Sequence, residues 1–396
     1  MTQQQIAARL ARIRPSASIA IADRARTLQA SGHRIVNLAA GEPDFPTPAP
    51  IKAAAAEALF AEMTKYTKVD GTDALKAAIA AKLRRDNALE YPPECISVSC
   101  GAKQTIFNAL FALLDPSDEV IVPAPYWVSY PEMVQLAEGV PVIAPTSMTT
   151  GFKLTASALD AALSERTRIL VLNSPANPTG AIYTRDELCA LGAVLRGHPR
   201  VLTICDDIYE YIRWSDEPFH DLATACEDLR DRVLVVNGVS KSHAMTGWRI
   251  GYGAGPAPVI AAMRAVQSHS TSNPNSIAQH AAIRAMQLGR DSLAPMIEAF
   301  RERHEYVIAR LNAMPGVSCL PAAGAFYAFP DVHAALQRLR LRDDVQLAEK
   351  LLVEAGVAVV PGSAYGAPDH LRLSFATSLQ ELEIALDACA RCLAAS

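Results

Sequence analysis

The chain has 396 residues, 50% hydrophobic and 20% charged, with a formal net charge of -4. That length supports two sizeable cores, or one large unit with a smaller companion. The balance lacks the clustered basic excess of a nucleic-acid partner. No apolar run approaches the roughly 20 residues that a membrane-spanning helix needs.

In chain order, residues 1–14 hold Arg9, Arg12 and Arg14 and no acid, with apolar residues at helical spacing. This reads as an amphipathic arm rather than a transit peptide. The periodicity predicts helices over 49–63, opened by Thr47-Pro48, and over 74–87. CISVSC (95–100) reads as a strand and 102–114 as a helix. EVIVP, PVIAP, RILVLN, VLTICDD and RVLVVNGV follow as short runs rich in Val and Ile, with a helix at 184–196 between two of them. Such runs, alternating with helices, describe an α/β unit over 48–290, with a buried, mostly parallel sheet covered on both faces. After about 290 the pattern changes. A helix over 291–313 precedes short paired strands (FYAF, VAVV, LRLSFA) around a helix at 344–355, and a last helix runs over 378–394. This predicts a smaller α+β unit, 291–396, which the segment 1–47 joins.

Ligands of open α/β sheets sit beyond the carboxyl ends of the strands. Those positions carry Gly101-Ala102-Lys103, Tyr126-Trp127, NSPANPTG (173–180), Asp206-Asp207 and Ser240-Lys241, where a plain scaffold places turn residues. GYGAGPAP (251–258) imitates a dinucleotide loop, but its spacing is G-x-G-x-G and no acid follows about 20 residues on. Its glycines are expected to let a strand pass close to its neighbours. Eight cysteines are scattered, and only Cys389 and Cys392 form a C-x-x-C. We read those two as small buried residues of the last helix, not as a zinc or redox site. Scattered cysteines suit a reducing compartment, and hence a cytoplasmic protein.

GVSKSHAMTGWRIG (238–251) resembles the lysine signature of class I aminotransferases, with Arg249 eight positions after Lys241. NSPANPTG, DDIYE (206–210), AAGEPDF (39–45), KYT (65–67), PYWVSYPEM (125–133) and RLSFAT (372–377) match the same family in order and spacing. The resemblance runs from about residue 14 to the C-terminus. It implies the fold type I of transferases that use pyridoxal 5'-phosphate. Within the family the chain resembles the prokaryotic-type aspartate aminotransferases, including those that accept prephenate.

The resemblance implies a role for each matched residue. Lys241 carries the cofactor as a Schiff base and then shuttles the proton. A lowered amine pKa would suit both tasks. Asp206 pairs with the pyridinium nitrogen. The two-residue spacing to Tyr209 selects it over Asp207. Tyr209 and Asn177 hydrogen-bond the ring oxygen, and Trp127 stacks on the ring. Gly101, Ala102 and Arg249 hold the phosphate, with Tyr66 supplied by a second subunit of a homodimer. Gly238 stands where many members have Ser, which removes one phosphate donor. Arg372 grips the substrate α-carboxylate, with Gly41 adding a backbone contact. Lys103 and Arg14 are the candidates for the second carboxylate of a dicarboxylic substrate. The implied reaction is ping-pong transamination between L-aspartate, or a glutamate/prephenate pair, and 2-oxoglutarate or another 2-oxoacid. The rivals are a C–S lyase on the same fold, an aminotransferase for aromatic or other amino acids, and a regulator that only binds the cofactor.

Overall fold

The computed structural model describes residues 6–13, 17–215 and 217–394. Its main sheet has seven strands, in the spatial order Ile96–Ser99, Gly251–Ala254, Val233–Gly238, Leu202–Asp206, Thr167–Asn173, Glu119–Ala124, Val140–Pro145. Six run parallel, and Gly251–Ala254 is antiparallel to both of its neighbours.

The uninterrupted apolar runs have a direct cause. Successive side chains of a strand point to opposite faces, so a sheet covered twice needs apolar residues at every position. Ile121, Leu170, Leu172, Val233 and Val235 face one core, with Ile79, Leu83 and Leu191 from the helices that cover it. Val120, Val122, Ile169, Val171, Leu234 and Val236 face a second core, closed by Ile106, Leu110 and Met263. The expected doubly covered sheet is therefore observed.

The glycines of 251–255 do what their spacing suggested. A Cβ on Gly251 would lie 2.1 Å from the backbone nitrogen of Ala102. The strand thus runs flush against the start of the helix Ala102–Leu113, and no dinucleotide loop forms.

A third core gathers Phe300, Phe326, Leu347, Leu351, Leu373 and Leu386. Tyr327–Ala328, Leu371–Ser374 and Val360–Pro361 make a three-stranded antiparallel sheet over it. Val36–Asn37 pairs in parallel with Val357–Ala358. The run VAVV is thus not one strand. It breaks at Val359 and serves two sheets, a choice that a four-residue apolar run cannot announce. The helix expected over 291–313 begins as a 3-10 turn, Arg290–Leu293, and is α-helical over Ala294–Asn312. Pro295 lacks an N–H to give and suits the first α-helical turn. The helix expected over 49–63 stops at Phe60, and Glu62 takes a φ of 57°. Cys389 and Cys392 are buried and free in the last helix, Leu379–Ala394. Among the described residues no group of His, Cys, Asp or Glu is placed to hold a metal, and no helix is long and apolar enough to cross a membrane.

Candidate active site

The carboxyl ends of the parallel strands open into a cavity of about 370 Å³. Asn173 and Asp206 end neighbouring strands in register, and Asn173 Nδ2 donates to the Asp206 carbonyl at 2.7 Å. Asn173 Oδ1 accepts from the Asn177 amide at 2.8 Å, which pins the NSPANPTG loop to the sheet. Ser240 and Lys241 enter the cavity just past the end of Val233–Gly238.

Lys241 donates to the carbonyl of Gly41. Burial, opposed by Glu42 and reinforced by Arg372 and Arg249, lowers its amine to about 8. An amine so placed is neutral in a useful fraction near pH 8 and can act as a nucleophile or base.

Asp206 lines the same cavity and is 4% exposed. Burial raises its carboxyl to about 6, while a 2.6 Å hydrogen bond from the Tyr130 hydroxyl pulls it down. Removing that donor should raise the carboxyl further. Tyr130→Phe is therefore expected to shift the Asp206 titration of the cofactor-free protein upward by roughly 0.5–1 unit, the worth of one hydrogen bond of about 1 kcal/mol. Infrared titration of 13C-labelled aspartate reads it. An unmoved midpoint would deny Tyr130 that influence.

Arg372 is 3% exposed on the middle strand of the small antiparallel sheet. One terminal nitrogen donates to the Ala39 carbonyl at 2.6 Å and the other to Asn177 Oδ1 at 3.3 Å. Tyr327 and Tyr365 lie under it, with ring centroids 4.5 and 5.3 Å from the guanidinium carbon. Its Nε is buried without a partner. No carboxylate among the described residues pairs with it, and buried cations are ordinarily paired. The site thus presents a fixed positive fork to an anion from outside the protein.

Arg249 makes a second cationic point. Its guanidinium donates to the carbonyls of Thr246 at 2.7 Å and Cys100 at 3.2 Å. A Cβ on Gly101, whose φ is 89°, would come within 2.2 Å of that guanidinium. Only glycine lets the arginine lie across the start of the helix Ala102–Leu113, where free N–H groups and the dipole also favour an anion.

The profile of aminotransferase classes I and II matches residues 33–389. The chain belongs to the class I and II aminotransferases. It is 49% identical over 388 residues to an aspartate/prephenate aminotransferase of Nitrosomonas europaea, covering 96% of this chain and 98% of that one. The solved aspartate aminotransferase of Rhizobium meliloti superposes with a TM-score of 0.95 at 44% identity, covering 98% of this chain and 99% of that one. The Thermus thermophilus aspartate aminotransferase with maleate does so at 0.91 and 42%, with the same coverage. These relatives favour neither the lyase nor the regulator reading.

In this aminotransferase Gly41, Ala102, Lys103, Trp127, Asn177, Asp206, Tyr209, Lys241, Arg249 and Arg372, all singled out from sequence, line one cavity. Trp127 meets Tyr130 edge to face at 5.2 Å, and the Lys103 ammonium stands 4.8 Å from the Trp127 ring centroid. Tyr66 does not line the cavity of its own chain and is 91% exposed. Arg14 lies outside the described residues. At Gly238 a Cβ would stand 2.9 Å from the Ile250 carbonyl oxygen, so the serine of other members would need the adjoining strand to yield.

Three contributors escaped the sequence reading, and a fourth, Asn173, entered it only as the first residue of NSPANPTG, with no role of its own. Tyr130 lies inside PYWVSYPEM, one turn beyond Trp127. Tyr327 sits in FYAF, which reads as core, yet its hydroxyl is 2.8 Å from that of Tyr209. Thr246 has no local signal of its own.

Proposed function

We propose that this chain is a pyridoxal-phosphate-dependent aspartate aminotransferase. It would exchange the amino group between L-aspartate and 2-oxoglutarate in two half-reactions, as a cytoplasmic homodimer. The observation that carries this reading is the buried, carboxylate-free Arg372 lining the same cavity as the amine of Lys241, the two held by carbonyls two residues apart.

The residues present fit the cofactor. They comprise one amine of lowered pKa, one buried carboxyl for a ring nitrogen, an anion cradle at Gly101, Ala102 and Arg249, and an indole for a flat ring. When bound, pyridoxal phosphate supplies an electron sink for the charge left as the α-proton departs. The protein does the rest. Arg372 and the backbone at Gly41 orient the α-carboxylate. Asn177 accepts from one arm of the Arg372 fork, and the Tyr209–Tyr327 hydroxyl pair supplies a donor in the same cavity. Lys241, once free, is the base placed to take the proton at Cα.

A dicarboxylic substrate needs a second cation. Lys103 at the cavity mouth supplies one, and burial together with Arg249 lowers its amine. The names of the relatives, and the maleate on the Thermus thermophilus enzyme, fit a dicarboxylate. Lys103→Ser should cost about 10-fold in kcat/KM for aspartate, the worth of one charge-assisted contact at a wet site. A neutral amino donor should lose far less, and equal losses would reject the role. Arg14 is the further candidate for prephenate, tested by the same donor panel.

The dimer reading has its own support. Leu59, Phe60, Met63 and Tyr66 are 51%, 85%, 45% and 91% exposed around one helix end. Such a patch needs a cover, and a second copy would bring Tyr66 to the first copy's anion cradle. Within each copy we propose the divisions 1–47, 48–290 and 291–396.

The deciding experiment loads the purified protein with pyridoxal phosphate, reduces it with borohydride and maps the modified peptide. An adduct at Lys241, with amino transfer from aspartate to 2-oxoglutarate, is expected. Release of a thiol, pyruvate and ammonia from an S-substituted cysteine, with no added oxoacid, would turn the assignment to a lyase.

A further inference from the structure

The segment that follows the strand Val36–Asn37 holds two of the cationic groups of the cavity directly and reaches a third, Arg249, through Thr246. The Ala39 carbonyl accepts from Arg372 and the Gly41 carbonyl from Lys241. The third link is a side chain: Glu42 Oε2 accepts from the Thr246 hydroxyl at 2.8 Å. Thr246 in turn gives its carbonyl to Arg249. Arg249 holds a φ of 58°, a left-handed conformation that costs a residue with a Cβ about 1 kcal/mol and persists only where the surroundings enforce it. The backbone over 246–249 is therefore over-determined, and Glu42 is one of the groups that determine it.

The charges around Lys241 give the contact a second consequence. Glu42 on this segment and Asp206 at the end of its strand favour the charged amine. Arg372 on the small sheet and Arg249 on the turn oppose it. Of the two acids Glu42 acts more strongly, although its residue is exposed. An exposed carboxylate is free to swing into water unless something holds it, and the Thr246 hydroxyl is what holds this one.

We propose that Glu42 and Thr246 form a positioning pair: their hydrogen bond clamps the 39–42 segment, whose Gly41 carbonyl receives Lys241, to the 246–249 turn and fixes the Glu42 carboxylate next to that carbonyl. Neither side chain is assigned contact with the reacting atoms. The proposal rests on Lys241 as the reactive amine, and it makes one device serve the nucleophile and the phosphate arginine together.

The test uses the full-length protein freed of cofactor and the pH dependence of Lys241 acylation by acetic anhydride, read at the peptide bearing position 241. Glu42→Gln keeps an acceptor for Thr246 but removes the charge. Its midpoint should fall by roughly 0.5 unit, the size of one partly screened charge, and the difference should shrink in 1 M salt. Thr246→Val frees the carboxylate and should lower the midpoint likewise. Thr246→Ser restores the hydroxyl and should return it to the parent value, which a merely structural role would not require. If Glu42→Gln does not fold, the Thr246→Val and Thr246→Ser pair decides alone. Parent midpoints in both Glu42→Gln and Thr246→Val overturn the pair. Absence of a borohydride-fixed adduct at Lys241 in the loaded parent enzyme instead overturns the reading beneath it, whatever the midpoints do.

Discussion

Lys241→Ala should abolish amino transfer and the visible absorbance of the loaded enzyme together. On the proposed roles of Lys241, alanine removes both the attachment point and the base for the α-proton. A general base alone contributes up to about 10⁴-fold, so a loss of at least that order is expected. Pyridoxal phosphate should still bind, because Arg249, the helix start at Ala102 and Asp206 are untouched. Equilibrium dialysis with stopped-flow kinetics separates the two effects. Turnover near the parent rate would move the reactive amine elsewhere. The pH dependence follows from the same residue. The free amine is lowered to about 8, chiefly by burial. It is therefore largely protonated and inert below pH 7 and increasingly neutral above pH 8. Cofactor capture by the empty protein should accelerate across that interval.

Arg372→Lys is expected to lower kcat/KM by roughly 10–100-fold for every amino donor, the cost of one charged hydrogen bond of about 1.5–3 kcal/mol. Lysine keeps the charge but loses the planar fork. It cannot hold the Ala39 carbonyl, Asn177 and an incoming carboxylate together. The defect should be common to aspartate and neutral donors, unlike that of Lys103→Ser, because the α-carboxylate is shared by all amino acids. Parallel steady-state kinetics on two donors makes the comparison. An unchanged profile would place the α-carboxylate site away from Arg372. Thermal melting is the control, since the buried position retains a cation and the fold should survive.

Much of the site was legible because strand ends are local features. Lys103, Asp206, Lys241 and the 173–180 loop all follow apolar runs that period and composition mark as strands, and chemistry at such ends is unusual in a plain scaffold. The resemblance then supplied roles. Tyr327 was hidden for the opposite reason. FYAF looks like core and is core, and nothing within four residues says that one hydroxyl would reach Tyr209, 118 positions away in sequence. The Asn177–Arg372 hydrogen bond spans 195 positions, and the hold of Arg372 on Ala39 spans 333. Such pairings depend on how two sheets meet.

Alone, the sequence determined the elements, the doubly covered parallel sheet and the residue types offered at its carboxyl edge. Each of these follows from side-chain alternation, helical period or turn chemistry, forces that act over a few residues. The tertiary structure decided that VAVV would be shared between two sheets, that Gly251 would press against a helix start and that the carbonyls of Ala39, Gly41, Cys100 and Thr246 would gather around Arg372, Lys241 and Arg249. Those outcomes depend on burial and charge balance between segments hundreds of positions apart, quantities that no local window contains.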